Sequence, residues 1–254
     1  MTRENMVKSV SRALDIITML SLKKGGLGVT EIANQIDINK SSVYRILSTL
    51  VQYGYVEQDA DTGRYKLGYK FLEISSKLLE SIDLRAEARP FLQELENETN
   101  EVVHLVVYDQ GEVVYIEKLE GNELLRMHSK VGKRAPMHCT SVGKAILSQL
   151  PDNVVESILE RKGMPVHTVH TMTDKEMFMK ELELVRERGY ALDLEENELG
   201  ITCIAVPIMD HTGVVAAVSI SGPTIRMTEE RLDQLHKRMI TIGKQISQRL
   251  GYSY

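Results

Sequence analysis

At 254 residues and 28.7 kDa the chain is longer than one ordinary domain, so two domains are expected. Its 43% hydrophobic and 26% charged residues mark a soluble globular protein. No apolar run reaches the ~20 residues of a membrane span and no signal-like core opens the chain, which predicts a cytoplasmic protein with no membrane partner. The formal charge of -5 argues at first against nucleic acid, but it is unevenly spread: residues 1–67 hold nine Lys and Arg against seven acids, a net of +2, which leaves -7 for the rest.

Residues 9–20 repeat Val10, Ala13, Leu14 and Ile17 at helical spacing, which predicts a helix presenting those four side chains to a core. The stretch 29–53, VTEIANQIDINKSSVYRILSTLVQY, reads as two short helices meeting at a sharp turn. Thr30 is a suitable N-cap for the first, which turns Ile32, Ala33 and Ile36 inward; Asp37-Ile38-Asn39 is the turn, with Asn39 placed to cap the second. In the second, Val43, Ile46, Leu47 and Leu50 fall at i, i+3, i+4 and i+7, while Ser41, Ser42, Tyr44, Arg45, Ser48, Thr49 and Gln52 occupy the opposite face. Asp and Glu are absent from 39 to 52, so hydroxyls and a guanidinium can meet phosphates and base edges without repulsion. Lys40, Ser41, Ser42, Tyr44, Arg45 and Thr49 are therefore candidate DNA contacts. The bland alternative is a helical hairpin whose polar face is merely solvated.

The runs 55–58 and 64–67 alternate and are joined by Asp59-Ala60-Asp61-Thr62-Gly63, a hairpin signature. Arg64 and Lys66 lie on one side of this wing, where cations would grip a neighbouring DNA backbone. Three helices and a wing make a winged helix-turn-helix over 1–67, a reader of double-stranded operator DNA.

Residues 68–83 form a linker helix with Phe71, Ile74, Leu78 and Ile82 on one stripe, which packs within its own chain or against a second copy. Symmetry favours a homodimer, because one recognition helix reads few bases and two read half-sites about one helical turn apart. Residues 84–254 then mix helix and strand. Helices are expected at 84–100 (Phe91, Leu92 and Leu95 buried), 140–150, 153–162, 174–188 and 228–250, with strands at 102–108, 112–118, 124–128, 190–194, 201–209 and 214–221. Helices covering antiparallel strands give an α+β domain.

Cys139 and Cys203 suggest neither a disulfide framework nor a zinc finger, since neither has a Cys or His at i+2 to i+4 downstream, and the adjacent His138 and Cys139 are expected to point apart. No metal or cofactor is assigned. An enzyme using either cysteine with His104, His128, His138 or His211 as base is the competing class. Against it, there is no nucleophile elbow and no HExxH helix. The phosphate-loop lookalike at Gly143-Lys144 has His138 where glycine is needed and Ala145 in place of Ser or Thr. No catalytic residue is assigned. An architectural DNA binder would leave the second half unexplained.

The segments RALDIITML, TEIANQIDINKSSVYRILSTLVQYGYV, YKLGYKFLEI, GKRAPMHCTSVGKAIL and RGYALDLEENELGITCIAVPIMDHTGVVAAVSISGP resemble, nearly end to end, the IclR family of bacterial transcription regulators. The resemblance implies a GAF-like α/β effector domain with an antiparallel sheet, and a dimer that can pair into a dimer of dimers. It implies a ligand pocket of Ser141 and Val142 at a helix start, Asp193, Cys203, Ser219 and Ser221, with Leu125, Met127 and Ile201 as the apolar wall. Ser219 and Ser221, two apart on one strand, share a face, and such a lining suits a small carboxylate with carbonyl or hydroxyl groups. Where the family commonly has LHATA, this chain has Met137-His138-Cys139-Thr140-Ser141, whose extra hydroxyl points to a polar effector. The EENE and GKRAPMHCTS segments are closest to the branch that senses 2-keto-3-deoxygluconate. Repression relieved by ligand is the expected sign, with activation the alternative.

Overall fold

The computed structural model describes residues 6–81, 83–121 and 129–253, and divides into two compact units, 1–82 and 83–254. The expected linker helix falls inside the first unit.

That unit contains α1 (Lys8–Ser21), α2 (Val29–Ile36), α3 (Lys40–Gln52), β1 (Val56–Gln58), β2 (Tyr65–Leu67) and α4 (Lys70–Ser81). Asn39 caps α3 as expected, its Oδ1 accepting the Ser42 N–H at 2.8 Å. Asp37 closes α2 in the left-handed region, φ 49°, a conformation its short polar side chain tolerates. The N-terminus of α2 differs from expectation: the cap is Gly28, whose N–H is taken by the Glu31 carboxylate at 2.7 Å, and Thr30 already lies within the helix. β1 and β2 pair antiparallel, with Glu57 opposite Lys66.

The core joins Ile16, Leu20, Leu27, Ile32, Val43, Leu47, Val56 and Tyr65. The stripe expected to face it from α1 does not. Val10 and Leu14 are more than half exposed, and Ile16 and Leu20 are buried instead. α1 carries two apolar stripes. The unexpected outer one, Val10, Ala13, Leu14 and Ile17, lines an open apolar groove of about 590 Å³ with Ile46, Leu50, Tyr55 and Phe71.

The second unit runs α5 (Leu84–Thr99), β3 (Val102–Asp109), β4 (Glu112–Leu119), β5 (Arg134–Pro136), α6 (Ser141–Leu147), α7 (Asp152–Lys162), α8 (Lys175–Arg188), β6 (Ala191–Leu194), β7 (Ile201–Asp210), β8 (Gly213–Pro223) and α9 (Glu229–Arg249). Its strands form one antiparallel sheet in the order β5-β4-β3-β8-β7-β6. This is the expected α+β domain. The strand expected at 124–128 lies outside the described residues, while the short β5, which periodicity does not disclose, pairs with β4. One core binds α6, α7 and α8 through Val142, Ile146, Val155, Phe178 and Leu182 to Val106, Val113 and Ala217 of the sheet. Leu92 and Leu95 of α5 and Met239, Ile242 and Ile246 of α9 are also buried, and both helices contact the sheet strands. Gly143 permits α6 to lie this close: a Cβ there would stand 2.2 Å from the Met137 carbonyl oxygen. No helix among the described residues is long and apolar enough to cross a membrane.

Candidate functional site

In the first unit α3 presents Lys40, Ser41, Tyr44, Arg45, Ser48 and Thr49 to solvent, with Tyr44 58% exposed. Two of these hydroxyls are oriented by their own helix: Ser41 Oγ donates to Asn39 Oδ1 at 2.9 Å and Thr49 Oγ1 to the Arg45 carbonyl at 3.0 Å. Ser42 is half-buried. Ser9 and Arg12 of α1 come alongside, so that two guanidiniums and several hydroxyls line a groove of about 530 Å³. Sequence reasoning missed Arg12, because only the packing of α1 on α3 brings it beside Arg45.

The wing cations part company. Arg64 is turned inward: its Nε and Nη2 donate to the carbonyls of Gly25 and Gly26 at 3.0–3.3 Å, and Nη2 lies 2.8 Å from Glu31. It pins the wing to α2, so the expected grip on phosphate is not the role its contacts describe. Lys66 pairs only loosely with Glu57, at 3.7 Å, and remains half exposed on the outer strand.

In the second unit a cavity of about 410 Å³ opens above the sheet. Its floor follows the strand register: Asp193 of β6 stands opposite Cys203 of β7, Cys203 opposite Ser221 of β8, and Ser219 opposite His104 of β3. Ile201, Ser141 and Val142 join the lining as expected. Leu125 and Met127 lie outside the described residues. The start of α6 is less open to an anion than its position suggests, because Thr140 Oγ1 accepts the Gly143 N–H at 3.2 Å and itself donates to the Pro136 carbonyl.

Residues not anticipated in the pocket include His104, Tyr115, Ser129, Lys133, Arg134, His167, Asn197 and Glu198. His104 left one trace, a polar residue inside the apolar run VVHLVV. Its Nε2 lies 2.8 Å from Ser129 Oγ, and its Nδ1 lies 3.4 Å and 3.5 Å from the Ser219 and Ser221 hydroxyls. Burial, reinforced by the Lys118 charge, lowers its pKa to about 3, so it is a neutral hydrogen-bonding group.

Asp193 is 3% exposed and accepts the N–H groups of Glu196 and Asn197 through Oδ1 at 2.8 Å and 3.3 Å. Burial outweighs those bonds and pushes its pKa up to about 7. Behind it, Lys144 of α6, 1% exposed, reaches Glu196 at 2.5 Å. Both cysteines are buried free thiols. Burial, with Asp193 and Glu196 adding to it, pushes Cys139 up to about 12, and Cys203 is raised by burial and Asp193.

A winged helix-turn-helix in one unit and a pocket lined by polar groups in the other together define a ligand-responsive transcription regulator. Residues 9–60 match the family model of the IclR helix-turn-helix domain, and residues 76–248 that of the bacterial transcriptional regulator IclR C-terminal domain. The chain belongs to the IclR family. It is 38% identical to the HTH-type transcriptional regulator KdgR of Escherichia coli, over 97% of this chain and 94% of that one. It is 34% identical to the transcriptional repressor IclR of Escherichia coli, over 96% and 90%. Among solved structures it is similar to the Thermotoga maritima IclR, with 35% identity, a TM-score of 0.65 and coverage of 96% and 99%. The chain is thus a DNA-binding transcription regulator with a C-terminal effector-binding domain.

Proposed function

We propose that the chain acts in the cytoplasm as a homodimer, pairing further into a dimer of dimers, that represses transcription from an operator and is released by a small polar carboxylic acid. The observation that carries the effector reading is the pocket floor, where a neutral imidazole, two strand hydroxyls, Tyr115 and a carboxyl that titrates near neutrality converge in one cavity. Such a lining matches an acid bearing several hydroxyls, and 2-keto-3-deoxygluconate or a related sugar acid fits it better than an aromatic acid. The repressor named among the relatives supports the sign. The apolar groove along α1 supports pairing, since Val10 and Leu14 would otherwise remain in water. A regulator also accounts for Cys139 better than an enzyme does: a nucleophilic cysteine needs a lowered pKa, and this thiol is held protonated. No bound cofactor enters this reading.

A thermal-shift screen of the purified chain against keto acids and sugar acids tests the proposal, with operator binding as the second readout. Ser219→Ala with Ser221→Ala should leave operator affinity unchanged and abolish the shift caused by the best acid, at least tenfold in apparent Kd if each hydroxyl supplies about 1 kcal/mol. A retained ligand response would remove these hydroxyls from the site.

Asp193 adds a pH dependence with a defined sign. Its folded pKa lies above the ordinary carboxyl value, so between about 4 and about 7 the folded protein holds a proton that the unfolded chain has released. The stability tied to that proton is lost as pH rises through about 7. Asp193→Asn keeps the Oδ1 acceptor and removes the charge. Urea unfolding should find it more stable than the parent by at least ~1 kcal/mol at pH 8, with the gain shrinking towards pH 5. An equal or opposite difference at pH 8 would place a protonation-insensitive group there.

A further inference from the structure

His138 and Cys139 follow one another between β5 and α6, in a segment with neither helix nor strand pairing, so the alternation that turns strand neighbours apart does not apply. His167 returns to them from the connection after α7. One ring nitrogen of each histidine and the Cys139 sulfur all lie within 4.8 Å of one another, and the two imidazole centroids are 5.9 Å apart. These donors are near enough for small side-chain shifts to bring all three onto one ion. His138 Nε2 donates to the Pro165 carbonyl at 3.0 Å, which fixes the tautomer and leaves the electron pair on Nδ1. Among the described residues Cys139 has one long contact, to Asn197 Oδ1 at 3.7 Å, and it is fully buried, while His167 is exposed and gives an ion a route in.

We propose that His138, Cys139 and His167 form a three-ligand site for a divalent cation of the zinc class. Two imidazoles and one sulfur are the donor set such ions prefer, and three protein ligands leave a fourth position for water or a ligand oxygen. Burial keeps the free Cys139 thiol protonated, and the charge of a bound cation reverses that: the S–H bond breaks, its proton passes to solvent, and the thiolate electron pair forms the metal–sulfur bond. His167 also lines the cavity over the sheet, so the ion would sit on that cavity's flank. The inference goes beyond the effector reading and does not depend on it.

Cobalt(II) titration of the tag-free full-length chain tests it. The expected result is one ion per chain, with visible bands of tetrahedral cobalt, a near-ultraviolet thiolate-to-cobalt charge-transfer band, and loss of both when zinc is added. Cys139→Ser should remove the charge-transfer band, and His167→Ala should weaken binding by at least about tenfold. Because His167 is exposed, that variant should fold normally and decides the matter if the serine variant does not. Absence of the bands in the parent overturns the site, as does a spectrum and affinity unchanged in His167→Ala. Either result leaves the effector reading standing, since that is tested separately through Ser219 and Ser221.

Discussion

Lys144→Met is expected to destabilise the effector-binding unit by about 3–5 kcal/mol, measured by urea unfolding at neutral pH. Both partners of its ion pair are buried, Lys144 at 1% and Glu196 at 7% exposure, and Glu196 Oε2 has no hydrogen-bond partner among the described residues. Burial raises the Glu196 pKa and the Lys144 charge opposes that rise. Methionine fills the same volume but leaves a carboxylate that must be buried unpaired or take up a proton. The double replacement Lys144→Met with Glu196→Gln should recover much of the loss, since the larger cost is the stranded charge. The damage should also reach ligand binding. The Glu196 carbonyl accepts the Thr168 and Thr171 hydroxyls, and its N–H is held by Asp193, so the same pair anchors the turn that carries Asn197 and Glu198 into the pocket. A loss below about 1 kcal/mol would show that the site relaxes or admits water.

Arg45→Ala is expected to lower operator affinity by about 1–3 kcal/mol per recognition helix, about 5–150-fold, with the melting temperature unchanged because the side chain is exposed. Salt dependence tells which atoms it meets. A base-reading guanidinium leaves the slope of log affinity against log salt nearly intact and relaxes specificity at one base pair. A phosphate contact flattens the slope by about one and weakens all sequences alike. Arg64→Ala should behave differently from both, since its bonds to Gly25, Gly26 and Glu31 tie the wing to α2 and its first effect is on folding. Unchanged operator binding by Arg45→Ala would move the reading surface away from α3.

The helix-turn-helix was legible because its signals are local: the Val43, Leu47 stripe, the acid-free outer face and the Asn39 cap are all set by short spacing. The same reasoning chose the wrong side of α1. A helix with two apolar stripes satisfies the period either way, and only tertiary packing decides that Ile16 and Leu20 go in while Val10 and Leu14 stay out. β5 was invisible because it is three residues long, ends in proline and owes its existence to β4. In the pocket the family motifs brought forward Ser141, Asp193, Cys203, Ser219 and Ser221, whereas His104 and Tyr115 come from strands of ordinary composition and become pocket residues only through register. The adjacency of His138 and Cys139 misled for a related reason: the rule that neighbours diverge holds for strands, and these two do not lie in one.

The most direct test of the account is operator affinity of the full chain, on DNA selected from random sequence, titrated with the acid that gives the largest thermal shift. The account predicts a change of about 5–150-fold at saturating acid for the parent chain, and none for Ser219→Ala with Ser221→Ala. An acid that demonstrably fills the pocket of the parent while leaving its operator affinity unaltered would contradict it.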